Sequence, residues 1–204
     1  MPRAAFAQLP AERRRYILDV AAEEFARSGF AATSYNKLLE RLGLGKSSAY
    51  YYFDNKRDLF VTVVVDCYER FFATAGEATP PKDADEFWRG TRALAVEGFE
   101  FMLRDPQSAA VMRCMQQDSA LLAELTADEV LDSLVHYYRR LLVLGQALGA
   151  VRTDLPLDLL TQTTRAATLA FDQWFIQQPR SDALVQTSAD YYLDVVRRLV
   201  EPAR

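Results

Sequence analysis

Hydrophobic residues recur along this chain at the spacing of amphipathic helices. In the first predicted helix, Ile17, Ala21 and Phe25 form one apolar stripe, with Arg14 and Glu23 on the opposite face. No segment shows the sustained alternation of apolar and polar residues, bounded by turn residues, that indicates β-strands. The pattern therefore predicts an all-α protein of about nine helices.

Glycines and small polar residues divide the first quarter of the chain into short helices. The residues predicted to start or stop them are Gly29, Thr33 or Ser34, Gly43, Gly45, and Asp54 or Asn55. Beyond a proline-containing loop at about 76–85, five further helices are predicted at about 85–103, 106–122, 127–148, 157–177 and 182–200. Pro106 and Pro156 stand at predicted first helical positions, and Thr126 with Glu129 forms a capping box.

The two short helices joined by Leu42-Gly43-Leu44-Gly45 have the spacing of a helix-turn-helix. The second helix of such a pair fits the major groove of DNA. Its first turn places Lys46 and two serines where they can reach phosphates or base edges. Three consecutive tyrosines follow about 100° apart, so at least one points outward, whereas Phe53 is predicted to turn inward. The predicted DNA contacts are Lys46, Ser47, Ser48, Tyr50, Tyr51, Tyr52 and, for a phosphate, Lys56.

Each of these residues has a simpler explanation when taken alone. Tyr52 and Phe53 could be core residues, Tyr51 an ordinary exposed tyrosine, and Lys46 a solvated charge. Their combination favours DNA binding. Charge adds weak support, because residues 1–56 hold nine Lys or Arg and six acids, a balance of +3, within a chain of net charge −4.

The pattern from Arg14 to Leu59 also resembles the DNA-binding region of the TetR-type (tetracycline-repressor-like) transcriptional regulators. The matching positions are Ile17, Ala21, Phe25, Gly29, Phe30, Thr33, Ser34, Leu38, Gly43, Leu44, Ser48, Tyr50, Tyr52, Phe53, Lys56 and Leu59. Gly45, Ser47 and Leu39 depart from the usual residues of that pattern. The resemblance implies that Thr33 and Ser34 touch the DNA backbone, that residues 46–52 form the recognition surface, and that Lys56 grips a phosphate.

The resemblance further implies a two-domain homodimer. Residues 1–56 would be the helix-turn-helix domain, and residues 57–204 a helical domain that binds a small-molecule effector and dimerises through about 157–177 and 182–200. Large soft side chains suit an effector pocket for a largely apolar or aromatic molecule, although most of them are expected to be simple core residues. The candidates are Trp88, Phe99, Phe101, Met102, Met112, Met115, Tyr137, Tyr138, Phe171, Trp174 and Phe175.

Catalytic and metal-binding patterns are absent from the sequence. His136 is the only histidine, Cys67 and Cys114 are isolated thiols, and no nucleophile, metal-ligand or phosphate-loop motif occurs. We therefore expect no enzyme activity, cofactor or metal. The chain shows no secretory signal or membrane-length apolar run, so we expect a cytoplasmic protein without membrane contact.

Two functions remain open at this point. The first is a ligand-responsive regulator, with repression favoured because occupying a promoter needs no contact with polymerase. The second is a helical small-molecule-binding or scaffold dimer that has lost sequence-specific DNA binding. The two differ in whether DNA affinity depends on sequence and falls steeply with salt.

Overall fold

The computed structural model describes residues 4–74, 80–117 and 137–202, and these residues form helices without β-strands. The ten helices are α1 (Ala4–Ala7), α2 (Ala11–Ala32), α3 (Tyr35–Arg41), α4 (Lys46–Tyr52), α5 (Lys56–Thr74), α6 (Ala84–Arg104), α7 (Pro106–Gln117), α8 (Tyr137–Ala147), α9 (Leu157–Phe175) and α10 (Leu184–Val200). The all-α prediction is confirmed, with α1 as an addition. Thr126, Glu129 and His136 lie outside the described residues.

The structure confirms the predicted helix stop at Gly29 and shifts one predicted helix start, at Pro156. Gly29 is non-helical, at φ 74° and ψ 166°, so the first helical run of α2 stops there as predicted, and residues 30–32 form a short helical segment after this kink. Only glycine adopts that backbone conformation readily. Pro156 is the residue preceding α9 rather than its first residue. The prediction for Pro106 is confirmed, because α7 begins there.

The described residues up to Arg70, together with α7, form one compact unit. Its core contains side chains with no measurable exposure, including Ile17, Phe25, Leu38, Phe53 and Phe60. Helix α7 packs against α2, and Gln107 Nε2 donates to the Asp19 carbonyl at 2.8 Å. Helix α5 runs without a break across the predicted domain boundary at residues 56 and 57, and that boundary remains a prediction.

Carboxylates bridge three helices within this first unit. Asp66 on α5 accepts hydrogen bonds from both terminal nitrogens of Arg15 on α2, at 2.8 and 2.9 Å. One turn later, Arg70 pairs with Asp66 at 3.2 Å and with Asp105 at 2.8 Å. Asp105 also caps α7 by accepting the Ser108 N–H at 3.0 Å. This network fixes the start of α7 relative to α2 and α5.

The second unit contains α6, α8, α9 and α10. Helix α10 packs against α6 and α9, and α9 packs against α8. One cluster of buried side chains centres on Phe87, Trp88 and Val151. Gly145 is required for this packing, because a Cβ there would overlap Val151 and lie 2.8 Å from the Phe87 ring. No helix in the described ranges is long and apolar enough to cross a membrane.

Candidate nucleic-acid interface

The turn between α3 and α4 is closed by backbone hydrogen bonds and one left-handed glycine. The Gly43 N–H donates to the Glu40 carbonyl and the Leu44 N–H to the Leu39 carbonyl, each at 3.0 Å. Gly43 has φ 62°, which lets the chain reverse direction after α3. Leu38 and Leu42 are buried. The predicted helix-turn-helix is therefore present as two short helices around a glycine turn.

Helix α4 has a buried side and a solvent side. Ala49 within it and Phe53 at its C-terminal cap are fully buried, so Phe53 turns inward as the spacing predicts. Tyr50 is 51% exposed and Tyr51 61% exposed. Lys46, Ser47 and Ser48 in the first turn are exposed as well. Five of the predicted contact residues thus share the open surface of one short helix.

Gly45 precedes α4 in an extended conformation, with φ −65° and ψ 153°. No side chain makes a cap hydrogen bond to the first turn of α4. Gly45 therefore serves as the N-terminal cap, as predicted, while the first-turn N–H groups of α4 lack a side-chain acceptor.

Three of the predicted contact residues make contacts inside the protein. Thr33 is buried, and its hydroxyl donates to the Gly29 carbonyl at 2.7 Å, which satisfies a backbone acceptor at the break in α2. Tyr52 is half-buried, and its ring packs edge-on against that of Phe6 with the ring centroids 6.4 Å apart. Ser34, by contrast, is exposed at the start of α3 and makes no side-chain cap hydrogen bond.

Lys56 is the third of these residues. Its ammonium donates to the carbonyls of Phe30 at 2.7 Å, Ala31 at 3.3 Å and Thr33 at 2.9 Å. It also lies 4.5 Å from the centroid of the Phe30 ring, a cation–π contact. Burial lowers the pKa of this amine. Lys56 therefore joins the start of α5 to the last turn of α2, and all three ammonium donors have acceptors.

Ion pairs fix α3 against α2 on the outside of the module. Arg41 at the end of α3 pairs with Glu23 at 2.8 Å and with Glu24 at 2.5 Å. Arg27 binds Glu24 as well, at 2.7 Å. The hydrogen bond from Arg27, followed by that from Arg41, holds the pKa of Glu24 below its ordinary value. Glu24 therefore stays ionised at neutral pH and keeps the two helices connected.

Sequence reasoning missed the residues that hold the helix-turn-helix from its N-terminal side. Arg13 donates to the Leu42 carbonyl at 2.8 Å, and the Tyr16 hydroxyl donates to the Arg41 carbonyl at 3.2 Å. These carbonyls belong to the unpaired end of α3. The only sequence signal was a run of arginines, which periodicity assigns to a solvent face.

The predicted effector-pocket residues are spread over both units. Met112 and Met115 lie on α7 in the first unit, whereas the other candidates lie in the second. In the second unit, Trp88 packs edge-on against Phe87 at 5.1 Å, and the Phe99 and Phe175 ring centroids are 4.5 Å apart. Met102, Tyr138 and Phe171 are half-buried.

An open groove of about 310 Å³ lies between α9 and α10 in the second unit. Its lining residues are Ala170, Phe171, Trp174 and Tyr191. Trp174 is 39% exposed and Tyr191 55% exposed. Among the described residues, no group of three His, Cys, Asp or Glu side chains is placed to hold a metal ion.

Comparison with known proteins agrees with this geometry. Residues 17–63 match the model of a family described as bacterial regulatory proteins, tetR family. A comparison with curated proteins gave no match. The matched segment contains α3, α4 and the break in α2, and it confirms the TetR-type resemblance.

Solved structures extend the likeness over the whole chain. A TetR family transcriptional regulator from Chloroflexus aurantiacus J-10-FL shares 23% identity with a TM-score of 0.69 and covers all of both chains. A regulatory protein of the tetR family from Rhodococcus RHA1 shares 16% identity with a TM-score of 0.65, over 96% of this chain and 100% of the other. The regulator FadR from Bacillus subtilis, solved with stearoyl-CoA, shares 19% identity with a TM-score of 0.64, over 89% and 96%. At these identities the comparison establishes the TetR-type fold.

Proposed function

We infer that this protein, whose residues 17–63 match the TetR family and whose fold is TetR-type, is a homodimeric transcriptional repressor. It binds a palindromic DNA operator through α3 and α4 and is released by a small, largely apolar or aromatic molecule. The observation that supports this most is the exposed surface of α4, where a lysine, two serines and two tyrosines surround buried Ala49. A short helix held only by its inner side is suited to insertion into the major groove.

Direct DNA contacts are assigned to the exposed members of the predicted set. Tyr50 and Tyr51 present rings to thymine methyl groups and hydroxyls to bases or phosphates. The remaining assignments are Lys46, Ser47 and Ser48 at the start of α4, and Ser34 at the start of α3. Thr33 and Tyr52 instead support the module through internal contacts. A phosphate contact by Lys56 requires its ammonium to release at least one carbonyl.

Dimerisation is assigned to α9 and α10, which pack against each other and leave large apolar side chains in solvent. These are Leu159, Trp174, Ile176, Tyr191 and Val195. The ring centroids of Trp174 on α9 and Tyr191 on α10 lie 6.2 Å apart. Exposed apolar surface of this extent marks an interface. A second copy related by a two-fold axis would cover it with the same two helices.

The effector site is assigned to the interior of the second unit. Phe171 meets Tyr192 edge-on at 5.6 Å, and the hydroxyls of Tyr192 and Thr168 lie 3.1 Å apart. A few hydroxyls among aromatic rings are typical of pockets for largely apolar ligands. The B. subtilis FadR structure contains stearoyl-CoA, a molecule with a long apolar chain, which supports the same class of effector for this protein.

A dimer that has lost DNA binding is the competing function. It would keep the apolar surface of α9 and α10 but would have no need for exposed Lys46, Tyr50 and Tyr51 on one helix. The exposed surface of α4 therefore favours the regulator.

Selection of bound duplexes from a randomised DNA pool at about 150 mM salt tests the proposal. We expect a palindrome whose half-sites are about 10 base pairs apart, or a multiple of that spacing. Affinity should fall steeply with salt, because phosphate contacts release counterions. Recovery of unsorted sequences would contradict the proposal.

A further inference from the structure

The short helix α1 packs against α4, although it precedes the residues that match the family model. Phe6 on α1 is only 5% exposed. Its ring centroid lies 4.8 Å from that of Phe53 and 6.4 Å from that of Tyr52. Since Phe53 is the C-terminal cap residue of α4, Phe6 contacts the end of the recognition helix from inside the module.

Arg14 on α2 holds α1 in this position. One guanidinium nitrogen, Nη1, donates to the Ala7 carbonyl at 2.6 Å and to the Leu9 carbonyl at 2.7 Å. The Leu9 N–H in turn donates to the Phe6 carbonyl at 3.2 Å. A helix of four residues is not stable by itself, because nucleation fixes several residues for one hydrogen bond. The Arg14 hydrogen bonds and the Phe6 contacts supply what α1 lacks.

The recognition helix has few other attachments. It is seven residues long, and Ala49 is its one fully buried member among the residues that the structure describes. At its N-terminal end it is attached to α3 through the glycine turn, which hydrogen bonds from the Gly43 and Leu44 N–H groups close. A contact at its C-terminal end therefore has a large effect on how the helix is tilted.

We propose that α1 is a positioning element for the recognition helix, with Phe6 setting the tilt of α4 and Arg14 holding α1 in place. This inference rests on the proposed function. Hydrogen bonds to base edges weaken steeply when distance or angle changes, so a change in tilt weakens contacts from Tyr50 and Ser48. Long flexible cations still reach phosphates after such a change. Loss of α1 packing therefore lowers sequence discrimination more than overall DNA affinity.

The test measures the ratio of two affinities for each variant. The probes are the duplex selected by the wild-type protein and a scrambled duplex of equal length, at about 150 mM salt. Phe6→Ala and Arg14→Ala should each lower the ratio about tenfold, comparable to the loss of one matched base pair. Phe6→Leu, which keeps an apolar side chain, should restore most of it. Arg89→Ala removes an exposed arginine from α6 and should leave the ratio unchanged.

The outcomes separate this inference from the proposed function. A wild-type ratio near one would overturn both. A wild-type protein that discriminates, with Phe6→Ala and Arg14→Ala discriminating equally well, would overturn this inference alone. Thermal unfolding is measured for every variant. If Phe6→Ala is unfolded at the assay temperature, Arg14→Ala decides the question, because its exposed hydrogen bond to Ala7 can be removed without creating a core cavity.

Discussion

Lys56, a predicted phosphate contact, makes contacts in the structure that also serve the stability of the module. Its ammonium donates to three carbonyls at the end of α2, and its charge lies over the Phe30 ring. Lys46, on α4, is exposed to solvent. The two lysines stand ten residues apart in the same module, so they form a natural pair of variants.

Lys56→Ala should lower the free energy of unfolding by about 1–3 kcal/mol, because hydrogen bonds from a charged donor are lost and carbonyls are left unpaired. The slope of log affinity against log salt should stay unchanged. Lys46→Ala should do the reverse, lowering the magnitude of that slope by about 1.8, that is about 0.9 for each copy in the dimer, with little effect on stability. Chemical denaturation and DNA titrations at several salt concentrations measure both quantities. If Lys56→Ala lowers the salt slope and leaves stability normal, Lys56 binds a phosphate and its internal contacts are not needed for stability.

Residue orientation on α4 could be predicted from sequence, whereas the contacts of Thr33 and Lys56 could not. The 100° step along a helix requires three consecutive tyrosines to face different ways, which is enough to expect exposed Tyr50 and Tyr51. The Thr33 and Lys56 contacts depend on where carbonyls lie after the break at Gly29. The sequence predicts the stop at Gly29, but the positions of the carbonyls that follow it depend on how α2 and α5 pack together.

For the helices, the effect of replacing a glycine by alanine on stability depends on the backbone conformation of that glycine. Gly43 has φ 62°, in the left-handed region, and ends α3. Gly90 lies inside α6, and a Cβ built on it meets no atom within 4 Å. Gly43 therefore has a conformational requirement for glycine that Gly90 lacks.

Gly43→Ala should lower the free energy of unfolding by about 1–2 kcal/mol, because a Cβ disfavours the left-handed region. Gly90→Ala should raise it by about 0.5–1 kcal/mol, since alanine is the better helix former. Denaturant unfolding followed by circular dichroism compares both variants with the wild type. Equal changes in the two variants would contradict the assigned role of the Gly43 turn.

Most helices could be predicted from apolar periodicity, but α1 could not. A four-residue helix has no measurable period, and its stability comes from Phe6 and Arg14 contacts that are made across the module. The helical segment at residues 30–32, after the predicted stop at Gly29, is too short to predict for the same reason. Tertiary contacts hold this segment, because Lys56 donates to the Phe30 and Ala31 carbonyls and the Thr33 hydroxyl donates to the Gly29 carbonyl.

Recognition of a palindrome, as proposed for this protein, requires two copies of the chain. Trp174 and Tyr191 are the largest exposed aromatic residues on α9 and α10. The double variant Trp174→Asp, Tyr191→Asp should be monomeric at micromolar concentration, because buried aromatic anchors contribute about 2 kcal/mol or more each and charges would be buried in their place. Light scattering after gel filtration measures the mass.

A matched control comes from α8, where Val143 is 44% exposed. Val143→Asp adds one negative charge per chain, against two in the double variant, to an apolar surface outside the assigned helix pair and should remain dimeric. A wild-type monomer, or a double variant that stays dimeric, would show that α9 and α10 are not the interface. The monomeric variant should also lose affinity for the palindrome, since each copy contacts one half-site.

In the proposed function the exposed surface of α4 recognises DNA sequence, and Tyr50 is the residue on which this recognition depends most. The measurement is the affinity of wild-type protein and Tyr50→Ala for the selected duplex and for a scrambled duplex at one salt concentration. We expect a loss of about 1–3 kcal/mol on the selected duplex and a much smaller loss on the scrambled one. Equal losses on both duplexes would contradict base recognition by Tyr50.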